Sequence, residues 1–208
     1  MAVMSKLGFE QFAILAHDRG ARVAHKLCVD FPERVRKVML LDICPTLEMY
    51  EKTTQQFASF YWHWFFLIQP EPFPETLILG NLEQFKLRFF GRSGYAGTVE
   101  YHPEAMKAYL SQLTDADSVH SMCEDYRAAA TIDLKEARED RRLGRKIKCP
   151  VRVLWGKNGV VSKCFDTLAE WKAVSEGGVD GEAVDSGHYV AEEVPDVVLR
   201  HANEFLVL

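Results

Sequence analysis

The chain has 208 residues, of which 48% are hydrophobic and 26% charged, the balance of an ordinary globular protein with a substantial core. A formal net charge of -5 argues against binding to nucleic acid or to an anionic membrane. The five cysteines are odd in number and lack C-x-x-C spacing, so we predict no disulfide framework, metal site or cofactor, and a cytoplasmic location. We predict neither a signal peptide nor a membrane helix, because no apolar run reaches roughly 18 residues.

The first elements in the chain predict a βαβ unit. Residues 12–16 form a short, nearly all-apolar run that is typical of a buried parallel strand. Residues 19–31 carry apolar side chains at helical spacing and stop before Pro32, which predicts a helix. Residues 38–42 predict a second buried strand. Strand, helix and strand in this order indicate an α/β protein.

The middle of the chain, roughly residues 44–147, has a different character. It is rich in aromatic residues and helix-like, and we interpret it as a helical insertion above the sheet. Basic residues cluster between positions 138 and 148 with Glu136, Glu139 and Asp140 among or beside them, so we interpret that run as a solvated helix and linker. A third strand, a helix, a weaker fourth strand and a closing amphipathic helix are predicted at residues 151–155, 165–174, 181–185 and 194–207.

A candidate nucleophile follows the first predicted strand. Asp18 stands between strand and helix in the sequence Ala16-His17-Asp18-Arg19-Gly20, which is the pattern of a nucleophile elbow. We expect that larger residues at positions 16 and 20 would collide in such a turn. The helix N-terminus favours an ionised carboxylate, and a desolvated carboxylate held in line can displace a leaving group and form an ester. The alternative is that Asp18 only caps the helix.

Asp42 and His188 complete a predicted catalytic group. Asp42 ends the second strand, at the carboxyl edge where open α/β sheets hold their sites. His188 follows Gly187 in the loop between the last strand and the last helix, from which it can reach the same edge. Asp42 would orient the imidazole, and His188 would activate the water that hydrolyses the ester. The alternative for His188 is an ordinary histidine in a surface loop.

Arg19 and Arg22 are three residues apart and therefore lie on the same face of the predicted helix. Two guanidinium groups beside a catalytic carboxylate would bind an anion, and arginine pairs bidentately with carboxylates. We therefore expect a small carboxylate as substrate, with its reactive carbon facing Asp18. The alternative is that Arg22 is a surface residue and that Arg19 forms a salt bridge elsewhere.

With these residues in view, the sequence resembles the haloacetate (fluoroacetate) dehalogenases of the α/β-hydrolase superfamily over nearly its whole length. The motifs are HDRGAR at residues 17–22, LDICPT at 41–46, YWHWFF at 61–66 continuing to Pro74-Glu75, CEDYRA at 123–128 and SGHY at 186–189. The resemblance implies an α/β-hydrolase fold, with a mostly parallel sheet flanked by helices. It implies a hydrolase core at residues 1–45 and 148–208 and a helical cap at residues 46–147.

The resemblance also implies a two-step cleavage of a carbon–halogen bond through an aspartyl ester, with glycolate and halide as products. It implies that Asp18 is the nucleophile and that Arg19 and Arg22 bind the substrate carboxylate. It implies that Asp42 and His188 activate the water, and the halide-binding residues that it implies are His63, Trp64 and Tyr126. Imidazole, indole and phenol groups can replace the water that fluoride loses as it departs. The resemblance suggests a homodimer as one assembly.

The family's fold begins well before this sequence does. Strands ahead of the elbow strand and an oxyanion loop of the type His-Gly-x-Pro are not among the 208 residues, so we expect the N-terminal half of the sheet to be missing. The elbow strand would then have an open edge. A truncated gene product, a gene-model fragment or one piece of a split chain would explain this.

Three functions stay open. The first is a haloacetate dehalogenase acting on a small halogenated carboxylate. The second is another hydrolase with a carboxylate nucleophile, such as an epoxide hydrolase or a haloalkane dehalogenase. Epoxide hydrolases of this type need lid tyrosines, and a neutral substrate leaves Arg19 and Arg22 without a role. The third is an inactive fragment that binds a partner or nothing.

Overall fold

A computed structural model describes residues 1–90 and 101–207. At its centre is a parallel sheet of four strands in the order β1-β2-β3-β4. The strands are Phe12–His17, Val35–Leu41, Val151–Gly156 and Val179–Val184. Because all four run in the same direction, their carboxyl ends meet at one edge of the sheet. The predicted parallel sheet is therefore confirmed, and each of its four predicted strands is found.

Helices occupy most of the remaining described residues. Before the third strand they are α1 Ala2–Lys6, α2 Asp18–Asp30, α3 Thr46–Glu51, α4 Gln55–Phe60, α5 Trp62–Phe66, α6 Phe73–Gly80, α7 Leu82–Phe89, α8 Pro103–Leu113, α9 Ala116–Ala130 and α10 Ile132–Leu143. After it they are α11 Val160–Cys164, α12 Thr167–Ala173, α13 Val190–Glu193 and α14 Pro195–Leu206.

The side chains of β2 alternate between two apolar layers, as expected for a strand buried on both faces. Val38 and Leu40 belong to a cluster with the apolar side of α2 and with Trp171 of α12. Met39 and Leu41 belong to a second cluster that includes residues of α14. Helices therefore cover both faces of β2, which is why residues 38–41 form a continuous apolar run rather than an alternating one.

Two predicted boundaries were wrong. The second strand begins at Val35, three residues before the predicted start, because Val35 already pairs with Phe12 of β1. The helix predicted at residues 165–174 is α12, which begins only at Thr167, and it is preceded by a further helix that was not predicted, α11. Asp166 separates them, since its side chain accepts a hydrogen bond from the Ala169 N–H at 3.1 Å and so caps α12.

A layer of helices lies against the carboxyl edge of the sheet and has its own apolar core. Phe57, Trp64, Leu67, Ile78 and Cys123 are all buried within it. The helical character predicted for this part of the chain holds in its described residues, although residues 91–100 lie outside them. The domain boundaries at residues 45 and 148, and the interpretation of this layer as a cap, stay predictions.

β1 forms one edge of the sheet, since within residues 1–90 and 101–207 it pairs with β2 alone. Leu15 on this strand is 43% exposed.

None of the helices in the described part of the chain has the length and apolarity needed to cross a membrane. All five cysteines are free thiols, and four of them are buried.

Candidate active site

The turn between β1 and α2 holds Asp18 in a strained backbone conformation. Its φ is 45°, in the left-handed region that residues other than glycine rarely adopt. His17 before it is still extended, with φ -122° and ψ 146°, and the helix begins at Asp18 itself. The chain therefore turns sharply at the aspartate, which is the geometry that an elbow requires.

The expected need for a small residue at position 20 was wrong for the described structure. A Cβ at Gly20 would meet no described atom within 4 Å. Gly20 lies on an exposed side of the first turn of α2, so a side chain there would point away from the packed parts of the elbow. The sharpness of the turn thus resides in the left-handed conformation of Asp18.

Asp18, His188 and Asp42 form a continuous row at the carboxyl edge of the sheet. His188 Nδ1 lies 2.7 Å from Asp42 Oδ2, and His188 Nε2 lies 3.6 Å from Asp18 Oδ2. The first distance is a hydrogen bond, whereas the second is an electrostatic contact that is too long for one. The three side chains predicted to act together are therefore adjacent, and Nε2 is the nitrogen that faces the predicted nucleophile.

Asp42 is buried, with 1% of its surface exposed, and also has a left-handed φ of 47°. Its Oδ1 accepts a hydrogen bond from the Gly156 N–H at 3.0 Å, which leaves Oδ2 for His188. A Cβ at Gly156 would lie 1.8 Å from the Gly187 carbonyl oxygen. Only glycine there lets the end of β3 support Asp42 and still contact the loop that carries His188.

The electrostatic surroundings of Asp18 favour its ionised form. Burial acts to raise the pKa of Asp18, but contact with His188 and the charges of His17 and Arg22 outweigh it and hold that pKa well below its usual range. Since 31% of the side chain is exposed, the carboxylate is accessible as well as ionised. Both properties suit a nucleophile.

Arg22 is 7% exposed, so the alternative of a surface helix residue was wrong. One of its guanidinium nitrogens, Nη1, donates to Thr46 Oγ1 at 3.0 Å and to the Cys44 carbonyl at 3.3 Å. Its Cζ lies 4.5 Å from the centre of the Trp64 ring. Arg22 Nε is buried and has no hydrogen-bond partner within residues 1–90 and 101–207.

Arg19 forms the salt bridge that the sequence left open as an alternative, and its partner is Asp125. Its Nε pairs with the Asp125 carboxylate, and its Nη2 donates to the Asp125 carbonyl at 2.8 Å. Arg19 Cζ lies 4.7 Å from the centre of the Tyr126 ring. Its Nη1 is buried and finds no partner in the described part of the chain. Each arginine thus keeps one buried donor for a further acceptor.

The three predicted halide ligands lie close together in the helical layer. His63 and Trp64 are on α5 and Tyr126 is on α9, and they are 7%, 1% and 3% exposed. The Tyr126 ring centre lies 5.9 Å from that of His63 and 6.3 Å from that of Trp64. Three N–H or O–H groups are therefore gathered in one apolar region, next to the two arginines.

A cavity of about 680 Å³ borders both arginines and runs along α2. Arg19, Arg22, Thr46 and Asp133 line the end nearest the site, and α10 forms much of the opposite wall. Asp18 and His188 are not among its described lining residues.

Sequence reasoning assigned no role to several residues of this site. His17 contacts the His188 carbonyl through its Nε2 at 2.8 Å, and the Tyr61 hydroxyl lies 3.5 Å from His188 Nδ1. Asp125 holds Arg19. All three belong to the quoted motifs HDRGAR, YWHWFF and CEDYRA. The sequence therefore indicated the segments that form the site, but not what each side chain contacts.

Among the described residues, no group of three or more His, Cys, Asp or Glu side chains could hold a metal ion.

Comparisons with known proteins agree with the fold described above. A family model described as the alpha/beta hydrolase fold matches residues 2–195. The fluoroacetate dehalogenase of Burkholderia sp is 35% identical over 204 residues, which cover 98% of this chain and 66% of that protein. The soluble epoxide hydrolase of Corynebacterium sp. (strain C12) is 26% identical over 206 residues, covering 98% of this chain and 69% of that protein.

A solved structure from Nostoc sp PCC 7120, described as an α/β hydrolase, superimposes with a TM-score of 0.89. It is 46% identical, and the match covers 99% of this chain and 69% of that one. The chain thus spans about two thirds of the length of these relatives, 66% in the case of the dehalogenase.

Proposed function

This chain belongs to the α/β-hydrolase fold family, and we propose that it hydrolyses the carbon–halogen bond of haloacetates, converting fluoroacetate to glycolate and fluoride. The observation that carries the proposal is the pairing of each arginine beside Asp18 with an aromatic hydrogen-bond donor. Arg22 stacks on Trp64 and Arg19 on Tyr126. A molecule with a carboxylate at one end and a halogen at the other would meet both kinds of group at once.

In the first step, Asp18 attacks the carbon that bears the halogen. A new bond forms between a carboxylate oxygen and that carbon, while the carbon–halogen bond breaks and its electron pair leaves with the halide. His63, Trp64 and Tyr126 donate hydrogen bonds to the halide. Fluoride needs such donors most, because its compact charge is strongly hydrated in water.

In the second step, water attacks the carbonyl carbon of the Asp18 ester. His188 Nε2 takes a proton from that water, and Asp42 stabilises the imidazolium that results. The tetrahedral intermediate then collapses, and the proton on His188 passes to the departing oxygen of glycolate. The second proton of the attacking water is released to solvent, which restores the Asp18 carboxylate. The 2.7 Å bond from His188 to Asp42 supports this division of roles.

Fluoride release tests the proposal directly. The purified chain is incubated with fluoroacetate or with fluoroacetamide, its neutral counterpart, and fluoride is measured with an ion-selective electrode. We expect release from fluoroacetate, none from it with Asp18→Asn, and at least about 10²-fold slower release from fluoroacetamide, which cannot pair with the arginines. Release by the wild type no faster than by Asp18→Asn would overturn the proposal for this chain.

Epoxide hydrolysis is the second candidate. It is favoured by the buried side chains of Tyr61 and Tyr126, because the oxygen of an epoxide needs an O–H donor as the ring opens. The similarity to an epoxide hydrolase also favours it. A neutral epoxide, however, offers Arg19 and Arg22 no carboxylate to bind. Turnover of styrene oxide without any turnover of haloacetates would make it the better assignment.

In either case the five free thiols suit a reducing compartment, and the cytoplasm is the location that we propose.

A further inference from the structure

A single carboxylate holds the peptide groups on both sides of His188. Glu193 Oε2 accepts a hydrogen bond from the Gly187 N–H at 2.7 Å. Glu193 Oε1 accepts one from the Tyr189 N–H at 3.0 Å. Gly187 and Tyr189 are the immediate neighbours of His188, so both oxygens of one side chain support the backbone that carries the predicted base.

This position is held mainly by side chains and by a neighbouring turn rather than by regular secondary structure. Residues 185–189 lie between β4 and α13 and form no helix or strand, so their N–H groups are not part of a ladder. Gly187 within the loop adds backbone freedom. His17 Nε2 lies 2.8 Å from the His188 carbonyl oxygen and bonds to it. Glu193 therefore supports the N–H groups of this loop, and His17 supports the carbonyl of His188.

We propose that Glu193 is a positioning residue for the hydrolytic step, holding His188 where Nε2 can deprotonate the water that attacks the Asp18 ester. The inference rests on the function proposed above. A base is effective only within a fraction of an ångström of its productive place, and charge-assisted hydrogen bonds from two adjacent peptides give that precision to a loop.

The two chemical steps separate this role from a general structural one. Attack of Asp18 on the carbon–halogen bond consumes no proton and does not involve His188, so ester formation continues when the base is displaced. Attack of water on the ester requires His188 Nε2 to accept a proton, so this step slows. A displaced base therefore leaves the substrate's carboxymethyl group attached to Asp18, whereas a loosened fold slows both steps.

The neighbouring residue provides a matched control. Glu192 lies on the same short helix, and its carboxylate pairs with the hydroxyl of Tyr109 instead of with the loop peptides. Glu192→Gln makes the same chemical change one position away. Glu193→Gln keeps the size of the side chain but replaces one acceptor oxygen with an amide. Glu193→Asp keeps both oxygens on a shorter side chain.

The experiment follows ester formation and ester hydrolysis separately, by rapid quenching after mixing with fluoroacetate and by the mass of the peptide that contains Asp18. For Glu193→Gln we expect ester formation within about twofold of wild type, a fall in kcat of about 10-fold to 100-fold, and accumulated ester. Partial recovery is expected for Glu193→Asp and wild-type behaviour for Glu192→Gln. Wild-type kcat in Glu193→Gln, or equal slowing of both steps, overturns the inference.

A second measurement keeps this test independent of the proposed function. The Nδ1 proton that His188 shares with Asp42 at 2.7 Å should give a low-field ¹H NMR signal in the wild type. We expect the signal to broaden or disappear in Glu193→Gln and to persist in Glu192→Gln. Absence of both fluoride and ester in the wild type counts against the function alone, whereas an unchanged signal in Glu193→Gln counts against the positioning role.

Discussion

The two sides of the candidate site are built by different means. On the sheet side, Asp18 and Asp42 lie at strand ends with left-handed φ values of 45° and 47°. The backbone N–H groups on both sides of His188 donate hydrogen bonds to the Glu193 carboxylate. On the helical side, Trp64 and Tyr126 are positioned by ring packing and by guanidinium groups. Backbone geometry allows little variation, while ring packing tolerates changes of side chain.

The difference corresponds to the two steps of the proposed reaction. In that reaction the helical side would contact the leaving group and act in the first step only. The sheet side would supply the nucleophile for the first step and the base for the second. Substitutions on the two sides should therefore have separable kinetic effects, and any substitution that breaks the separation would show that the division is wrong.

The largest effect is expected from Asp42→Asn on the sheet side. The amide cannot stabilise an imidazolium and favours the wrong tautomer of His188, and loss of the equivalent charge in serine proteases costs about 10⁴-fold. We expect a fall in kcat of that order, with ester still formed on Asp18 and visible by mass spectrometry. Asp18→Asn, which removes the attacking group, is the control that should show no ester at all.

A smaller effect is expected from Trp64→Phe on the helical side, which removes the indole N–H and keeps an aromatic ring beside Arg22. Loss of one such donor typically costs about 10²-fold. We expect this for the rate of ester formation from fluoroacetate, and a smaller loss from chloroacetate, whose halide is less strongly hydrated. Trp62→Phe changes the adjacent ring and should leave both rates unaltered. Accumulation of ester in Trp64→Phe would contradict the assignment to the first step.

Arg22→Lys lies between the two sides and should act on binding. Lysine keeps the charge but loses the planar fork that pairs with a carboxylate and stacks on Trp64. We expect KM for fluoroacetate to rise about tenfold and kcat to change less. Arg141→Lys, a partly exposed arginine that pairs with Glu48, is the matched control. A change in kcat alone would indicate that Arg22 acts on the reacting atoms instead.

The smallest effect concerns stability and pH. Because the pKa of Asp18 is lowered in the folded state, its ionised form stabilises the fold. That contribution is complete above the unfolded-state pKa of about 4 and is lost as pH falls through the lower folded-state value. The stability of wild type relative to Asp18→Asn, measured by urea unfolding, should be constant from about pH 7 to pH 5 and decline below about pH 4. A decline between pH 7 and pH 5 would mean that the pKa of Asp18 is raised.

Much of the fold could be predicted from the sequence because β1, β2 and β3 each contain a short apolar run between helices. Val38–Leu41 illustrates what is easy to predict, since all four residues are buried. Val35–Lys37 illustrates what is not, since exposed Arg36 interrupts the apolar pattern and only pairing with β1 makes this segment a strand. Local pattern cannot report a partner that is distant in the chain.

The same limit separates the predicted site residues from the missed ones. Asp18, Asp42 and His188 follow from their places at strand ends, because parallel strands bring such residues to one edge. Asp125 holds Arg19 from 106 positions away, and no periodicity encodes that contact. Glu193 is close to His188 in sequence, yet its role depends on a loop conformation that its sequence does not specify.

The two arginines that lie over aromatic rings have a consequence for the hydrogen-bond donors on those rings. A cation 4.5 Å from the centre of an indole ring draws electron density from it, and Arg22 occupies that place over Trp64. An N–H on such a polarised ring is a stronger hydrogen-bond donor than one on an isolated ring. Arg19 does the same for the hydroxyl of Tyr126 from 4.7 Å. The residues that would bind the substrate's carboxylate therefore also make the opposite end of the site better able to accept a leaving anion.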